Sequence, residues 1–87
     1  MQSKEAMAER TMARLVREEV QRYDLPDDVE IGVQLVSHLY GATWRIYLSA
    51  SNTLPRFFVT FLGGDSPESQ MRKALAKLIE KWEEDNK

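Results

Sequence analysis

The strongest constraint on the fold is an amphipathic pattern near the end of the chain. Its apolar residues recur three or four positions apart, which aligns them along one side of a helix: Met71, Ala74, Leu75, Leu78, Ile79 and Trp82. The start is also marked, because residues 63–65 interrupt the preceding element, Ser66 can cap the helix and Pro67 suits its first turn. The pattern predicts a core-facing helix over about residues 66–84.

A second amphipathic helix is predicted over about residues 4–22, which contain neither Gly nor Pro. Its apolar side carries Ala8, Met12, Leu15, Val16, Val20 and Tyr23. At about 100° per residue, Arg10, Arg14 and Arg17 project from nearly the opposite side. This arginine stripe is either a solvated helix face flanked by glutamates or a contact for an anion or a partner.

Between the two helices the period of the apolar residues changes to two, as in half-buried strands. The alternation predicts strands over about residues 29–36, 43–49 and 56–62. Gly41 permits the first reversal, in a connection that contains His38, and Pro55 marks the second reversal.

The predicted class is therefore α+β: a helix, a three-stranded antiparallel meander and a helix (αβββα), with both helices on one sheet face. A chain of 87 residues makes a single domain, residues 1–87, and we expect its ends to fray at about residues 1–4 and 84–87. The second face of the sheet is left open.

Composition excludes several classes of protein. The chain has no cysteine, so it has no disulfide framework and no thiolate metal site, and a cytoplasmic location is expected. It lacks an apolar run of about 20 residues, so no membrane span is predicted. Its net charge of −2 argues against a strongly basic nucleic-acid arm.

The residues offer little for catalysis. His38 is the single histidine, and the chain has no Gly-rich phosphate loop. Asp27, Asp28 and Glu30 are neighbours, but their spacing matches no calcium-binding loop. We therefore expect a protein that is not an enzyme and that holds neither a cofactor nor a metal.

The open sheet face is a stronger candidate for a functional site than any set of catalytic residues. If Trp44, Ile46 and Leu48 face the helices, alternation turns a mixed aromatic and polar set outward: Tyr47, Phe58, Arg45, Leu62, Gln34 and Val36. Ordinary cross-strand packing would explain these residues without a partner, whereas contiguous exposed apolar side chains are typical of contact surfaces. We predict that this face binds a protein partner or a second copy of the chain.

The order helix, three antiparallel strands, helix resembles the double-stranded-RNA-binding domain over most of the chain. The resemblance implies RNA contacts by the first helix, through Arg10, Arg14 and Arg17, and by His38 in the loop after the first strand. That family also uses a lysine-rich start of its last helix. Here this start carries Asp65 and Glu68, whose negative charge repels phosphate.

The predicted function is a small non-catalytic protein-interaction module that binds through the open sheet face and the arginine stripe. Adaptors, inhibitors and regulators encoded by small phage and bacterial genes are of this kind. The alternative is nucleic-acid binding through the arginine stripe and His38.

Overall fold

The computed structural model describes residues 4–37, 41–50 and 57–85. These residues form, in order, α1 (Lys4–Val20), β1 (Val29–Ser37), β2 (Thr43–Ala50), β3 (Phe57–Leu62) and α2 (Pro67–Asp85). The predicted αβββα order is confirmed. The loop with His38, the reversal at residues 51–56 and the chain ends 1–3 and 86–87 lie outside the described residues, so fraying of the ends stays a prediction.

The ends of the helices follow from their local sequence. α2 begins at Pro67 as predicted, with the Gln70 amide donating to the Ser66 carbonyl at 3.0 Å, and Gly64 turns the chain at φ 57°. α1 ends at Val20, two residues before the predicted position. The amides of Arg22 and Tyr23 donate to carbonyls three residues back, at 3.1 and 3.0 Å, so the helix closes in a tighter turn.

The three strands form one antiparallel sheet in the order β1-β2-β3, so β1 and β3 are its edges. The register aligns Val33, Ile46 and Val59 across the sheet. Residues directly opposite each other in such a register share a face, so these three side chains lie together on the side of the helices. Gly41, which precedes β2, has φ 99°, a conformation that residues with a Cβ rarely adopt.

The core lies between the two helices and this face of the sheet. α1 packs on β1, α2 packs on β3 and β2, and the helices also contact each other. The buried side chains come from α1, β2 and α2: Met12, Val16, Trp44, Ile46, Leu48, Met71, Ala74, Leu75, Leu78 and Ile79. Because the buried β2 residues alternate along the strand, both helices cover one sheet face, as predicted.

Over the ranges that the structure describes, neither helix carries an apolar stretch long enough to cross a bilayer.

Candidate functional site

The open face of the sheet is organised by two cross-strand rows. One row aligns Gln34, Arg45 and Thr60, and the next aligns Gly32, Tyr47 and Phe58. All of these positions lie on the face opposite the helices, since they alternate with the core residues of the same strands. The strands therefore bring together Gln34, Arg45, Tyr47 and Phe58, as the sequence predicted.

Tyr47 is held in place by the glycine opposite it. A Cβ added at Gly32 would overlap the Cζ, Oη and Cε2 atoms of the Tyr47 ring, so the ring lies directly over the Gly32 backbone. A glycine inside a strand often marks such a close approach. The half-buried Tyr47 ring thus fills the space of the missing side chain, and its position is set by β1 as well as by β2.

Arg45 lies over the neighbouring aromatic ring. Its Cζ atom is 5.1 Å from the centroid of Phe58, which suits a cation–π contact, and Phe58 itself is 56% exposed. The Nε atom of Arg45 is buried and has no hydrogen-bond partner among the described residues. This contact places a cationic group on an exposed aromatic ring near the centre of the face.

Two separate apolar areas flank the polar row of the face. Tyr47 and Phe58 form one area, and the other is formed by Leu62, which is 65% exposed and pairs across from Thr43. The exposed Val36 lies on the opposite edge strand, at the register shift of β1. Arg45 and its row neighbours lie between the two areas. The predicted patch therefore exists as two apolar areas separated by polar side chains, and a partner would have to match both kinds of surface.

The arginine stripe lies on α1, which packs on the covered side of the sheet. Arg10, Arg14 and Arg17 are all exposed and form no ion pair within the described part of the chain. Arg17 also borders a cleft between α1 and β1. The stripe and the open face are therefore separated by the outer edge of β1, so one partner could contact both only by passing over that edge.

The structure contains an ionic cluster that sequence reasoning missed. Glu19 is only 9% exposed, and its Oε1 atom lies 3.4 Å from Arg72 Nε of α2 and 3.6 Å from Arg22 Nε. The signal was present, because at about 100° per residue Glu19 falls close to Met12 on the apolar side of α1. Glu19 therefore joins the two helices instead of flanking a solvated face.

A groove between the two helices was also missed. It measures about 720 Å³, lies between α1 and the start of α2, and is lined mainly by Met7, Met12, Leu15, Trp44 and Pro67. Two charged residues line it, Glu68 and Arg72, and they pair with each other at 2.6 Å. Such a groove arises only when two helices pack, which no pattern within either helix reveals.

His38 lies outside the described residues, so its predicted role in RNA contact stays a prediction. Among the residues that are described, no three His, Asp or Glu side chains lie close enough together to hold a metal ion.

No protein-family model, curated protein or solved structure matches this chain. The functional proposals therefore rest on the geometry of its own surfaces.

Proposed function

We propose that this protein is a small non-catalytic interaction module whose open sheet face binds another protein. The observation that carries the proposal is the exposure of Phe58 and Leu62 on the one sheet face without a helix. Clustered exposed apolar side chains favour contact with a partner, because their burial removes apolar surface from water. An adaptor, inhibitor or regulator of the kind encoded by small phage and bacterial genes fits this surface, and a cytoplasmic location fits the cysteine-free chain.

The unpaired Nε of Arg45 also supports a protein partner. A buried donor without an acceptor is unfavourable, and a rotation of the Arg45 side chain toward a partner's carbonyl or carboxylate would relieve that deficit. Phe58 and Tyr47, next to it, are the aromatic type of side chain that dominates binding energy in protein interfaces. The centre of the face thus combines aromatic anchors with a polar group that lacks a partner.

The size of the face favours a different protein over a second copy of the chain. The strands pair at eight positions between β1 and β2 and at six between β2 and β3, which covers roughly 350 Å² at the usual strand rise and spacing. Stable interfaces bury about 800 Å² on each partner. Two such faces packed together would give a weak dimer, whereas another protein can extend its contact beyond the sheet.

Truncating the two aromatic side chains should weaken partner binding by at least about 2 kcal/mol, or roughly thirtyfold, because Tyr47 and Phe58 would be central anchors. The measurement is the affinity of the Tyr47→Ala/Phe58→Ala variant for a partner recovered from the native host, together with sedimentation of the free protein. Met7→Ala is the matched control, because Met7 is 57% exposed, about as much as Phe58, but lies on α1. Equal binding by the double variant and the control would contradict the proposal, and a dimer that dissociates in the double variant would identify a second copy as the partner.

Nucleic-acid binding is the second candidate, and one observation favours it. Arg10, Arg14 and Arg17 are exposed cations that no described acidic side chain neutralises. Against it, Asp65 and Glu68 are exposed at the start of α2 and would repel phosphate. If the arginines do contact phosphates, duplex RNA binding should weaken with salt along a log–log slope of about −3. Absence of a mobility shift of duplex RNA or DNA at low salt would exclude this candidate.

A further inference from the structure

We propose that the outer edge of β1, together with the cleft between β1 and α1, binds an extended segment of a partner protein by β-strand addition. This site goes beyond the proposed function, because it lies at the sheet edge and not on the open face. The segment would carry one apolar side chain for the cleft and an acidic side chain opposite Arg17.

The first support is the free edge of β1. β1 pairs with β2 only, and no described strand pairs with its other side. In an antiparallel pair every second residue directs its N–H and C=O groups away from the neighbouring strand. Over residues 29–34, before the register shift between Leu35 and Ser37, the edge carries one charged residue, Glu30, and no proline, so this part of it has few of the features by which proteins block edge pairing.

The second support is the cleft beside this edge. It measures about 220 Å³ and is lined by Ala13, Val16 and Arg17 of α1 and by residues 31–33 of β1. Because no described residue of β2, β3 or α2 lines it, we infer that it opens on the outer side of β1. The volume is smaller than the usual range for small-molecule pockets, about 300 to 1,000 Å³, and suits a single side chain. Extended peptides bind in this way when pockets beside a strand take up their alternate side chains.

The charge beside the cleft determines which side chain the bound segment would carry there. At about 100° per residue, Arg17 lies about 40° from Ala13 around α1, whereas Arg14 lies about 100° away. Arg17 is exposed and has no acidic partner among the described residues, and it is the one charged residue in the described lining of the cleft. An acidic side chain is therefore favoured at the Arg17 end only.

The same charge argues against a second copy of the chain as the occupant. Two β1 strands paired antiparallel about Gly32 would bring the two clefts together, and with them two Arg17 side chains of like charge. Like charges facing each other across an interface oppose association. Glu30, on the open-face side of β1, likewise disfavours acidic residues on that side of the segment. The apolar and the acidic side chain should therefore lie on the same side of the segment, the side that faces α1, and so be two residues apart.

The test is a selection of ten-residue linear peptides from a random library on the intact chain, followed by affinity measurement of the enriched peptides. We expect enriched peptides without proline that carry an apolar and an acidic residue two positions apart. Arg17→Glu should weaken their binding by at least about fivefold, and Arg14→Glu by less than about twofold. Ala13→Phe, which fills the cleft, should weaken it by more than about tenfold, whereas Ala76→Phe on the exposed side of α2 should not.

Amide hydrogen exchange identifies the binding mode. Added strand pairing should slow exchange at every second residue of β1, a pattern that charge attraction alone would not produce. Failure to enrich peptides above a blank surface, equal losses in Arg17→Glu and Arg14→Glu, or protection confined to the open face would each overturn the proposal. The proposal would also be overturned if duplex RNA displaced the peptides and the loss of Arg10, Arg14 or Arg17 weakened binding equally. A dimer of the chain that pairs through β1 would overturn it as well. Peptide binding that persists in Tyr47→Ala/Phe58→Ala separates this site from the open face, so either proposal can fail alone.

Discussion

Replacing Leu75 by alanine should lower the free energy of unfolding by about 3 kcal/mol. Leu75 is fully buried at the centre of α2, within the cluster that joins both helices to β2. The truncation removes apolar contacts and leaves a cavity, because the surrounding helices can collapse only partly. A domain of 87 residues has a total stability of about 4 to 13 kcal/mol, so the loss should be visible as a large shift of the urea midpoint.

Leu62→Ala is the matched control for this experiment, since it makes the same chemical change at an exposed position of β3. Its expected effect on the unfolding free energy is within about 0.5 kcal/mol. Similar losses in the two variants would contradict the placement of α2 in the core. The denaturant slope should be measured in both, because a changed slope would indicate an altered unfolded or native state.

Replacing Arg72 by alanine should destabilise the protein by about 1 to 3 kcal/mol, the second largest effect on stability that we predict. The mostly buried carboxylate of Glu19 would lose its neighbour on α2, and only Arg22, at 3.6 Å, would remain. The Arg22 side chain is 72% exposed, so solvent screens its contribution. The unfolding free energy of Arg72→Ala can be measured by urea denaturation.

Arg22→Ala and Glu19→Gln complete this experiment. Arg22→Ala should cost less than about 1 kcal/mol, because its ion pair is exposed. The double variant Glu19→Gln/Arg72→Ala should lose less stability than the sum of the losses in the two single variants, which is the sign of a direct interaction. Strict additivity, or an equal loss in Arg22→Ala and Arg72→Ala, would show that Glu19 does not depend on α2.

Much of the fold follows from local patterns. The apolar stripe of α2 and the alternation in the strands each depend on a repeat that a helix or a strand imposes on its own side chains. The capping residues Ser66 and Pro67 act within one turn, so the start of α2 was predictable to the residue. The end of α1 was not, because it depends on a tightened turn that no single residue type specifies.

The candidate surfaces were predictable only in part. Alternation alone places Tyr47, Phe58 and Arg45 on one face, but the overlap of Tyr47 with Gly32 depends on which residues pair across the strands. Register is a property of the assembled sheet, since a shift by one residue would exchange its two faces. For the same reason the polar row that divides the apolar areas could not be predicted from any one strand.

The sequence by itself determined the order of the elements, their core-facing sides and the direction of the arginine stripe, since each of these arises from the periodicity of a single element. Tertiary structure alone decided that Glu19 meets Arg72, that a cleft opens between α1 and the free edge of β1, and that this edge separates the stripe from the open face. These features require two elements to meet at a definite distance and angle, which depends on the packing of the whole core and not on the pattern of either element.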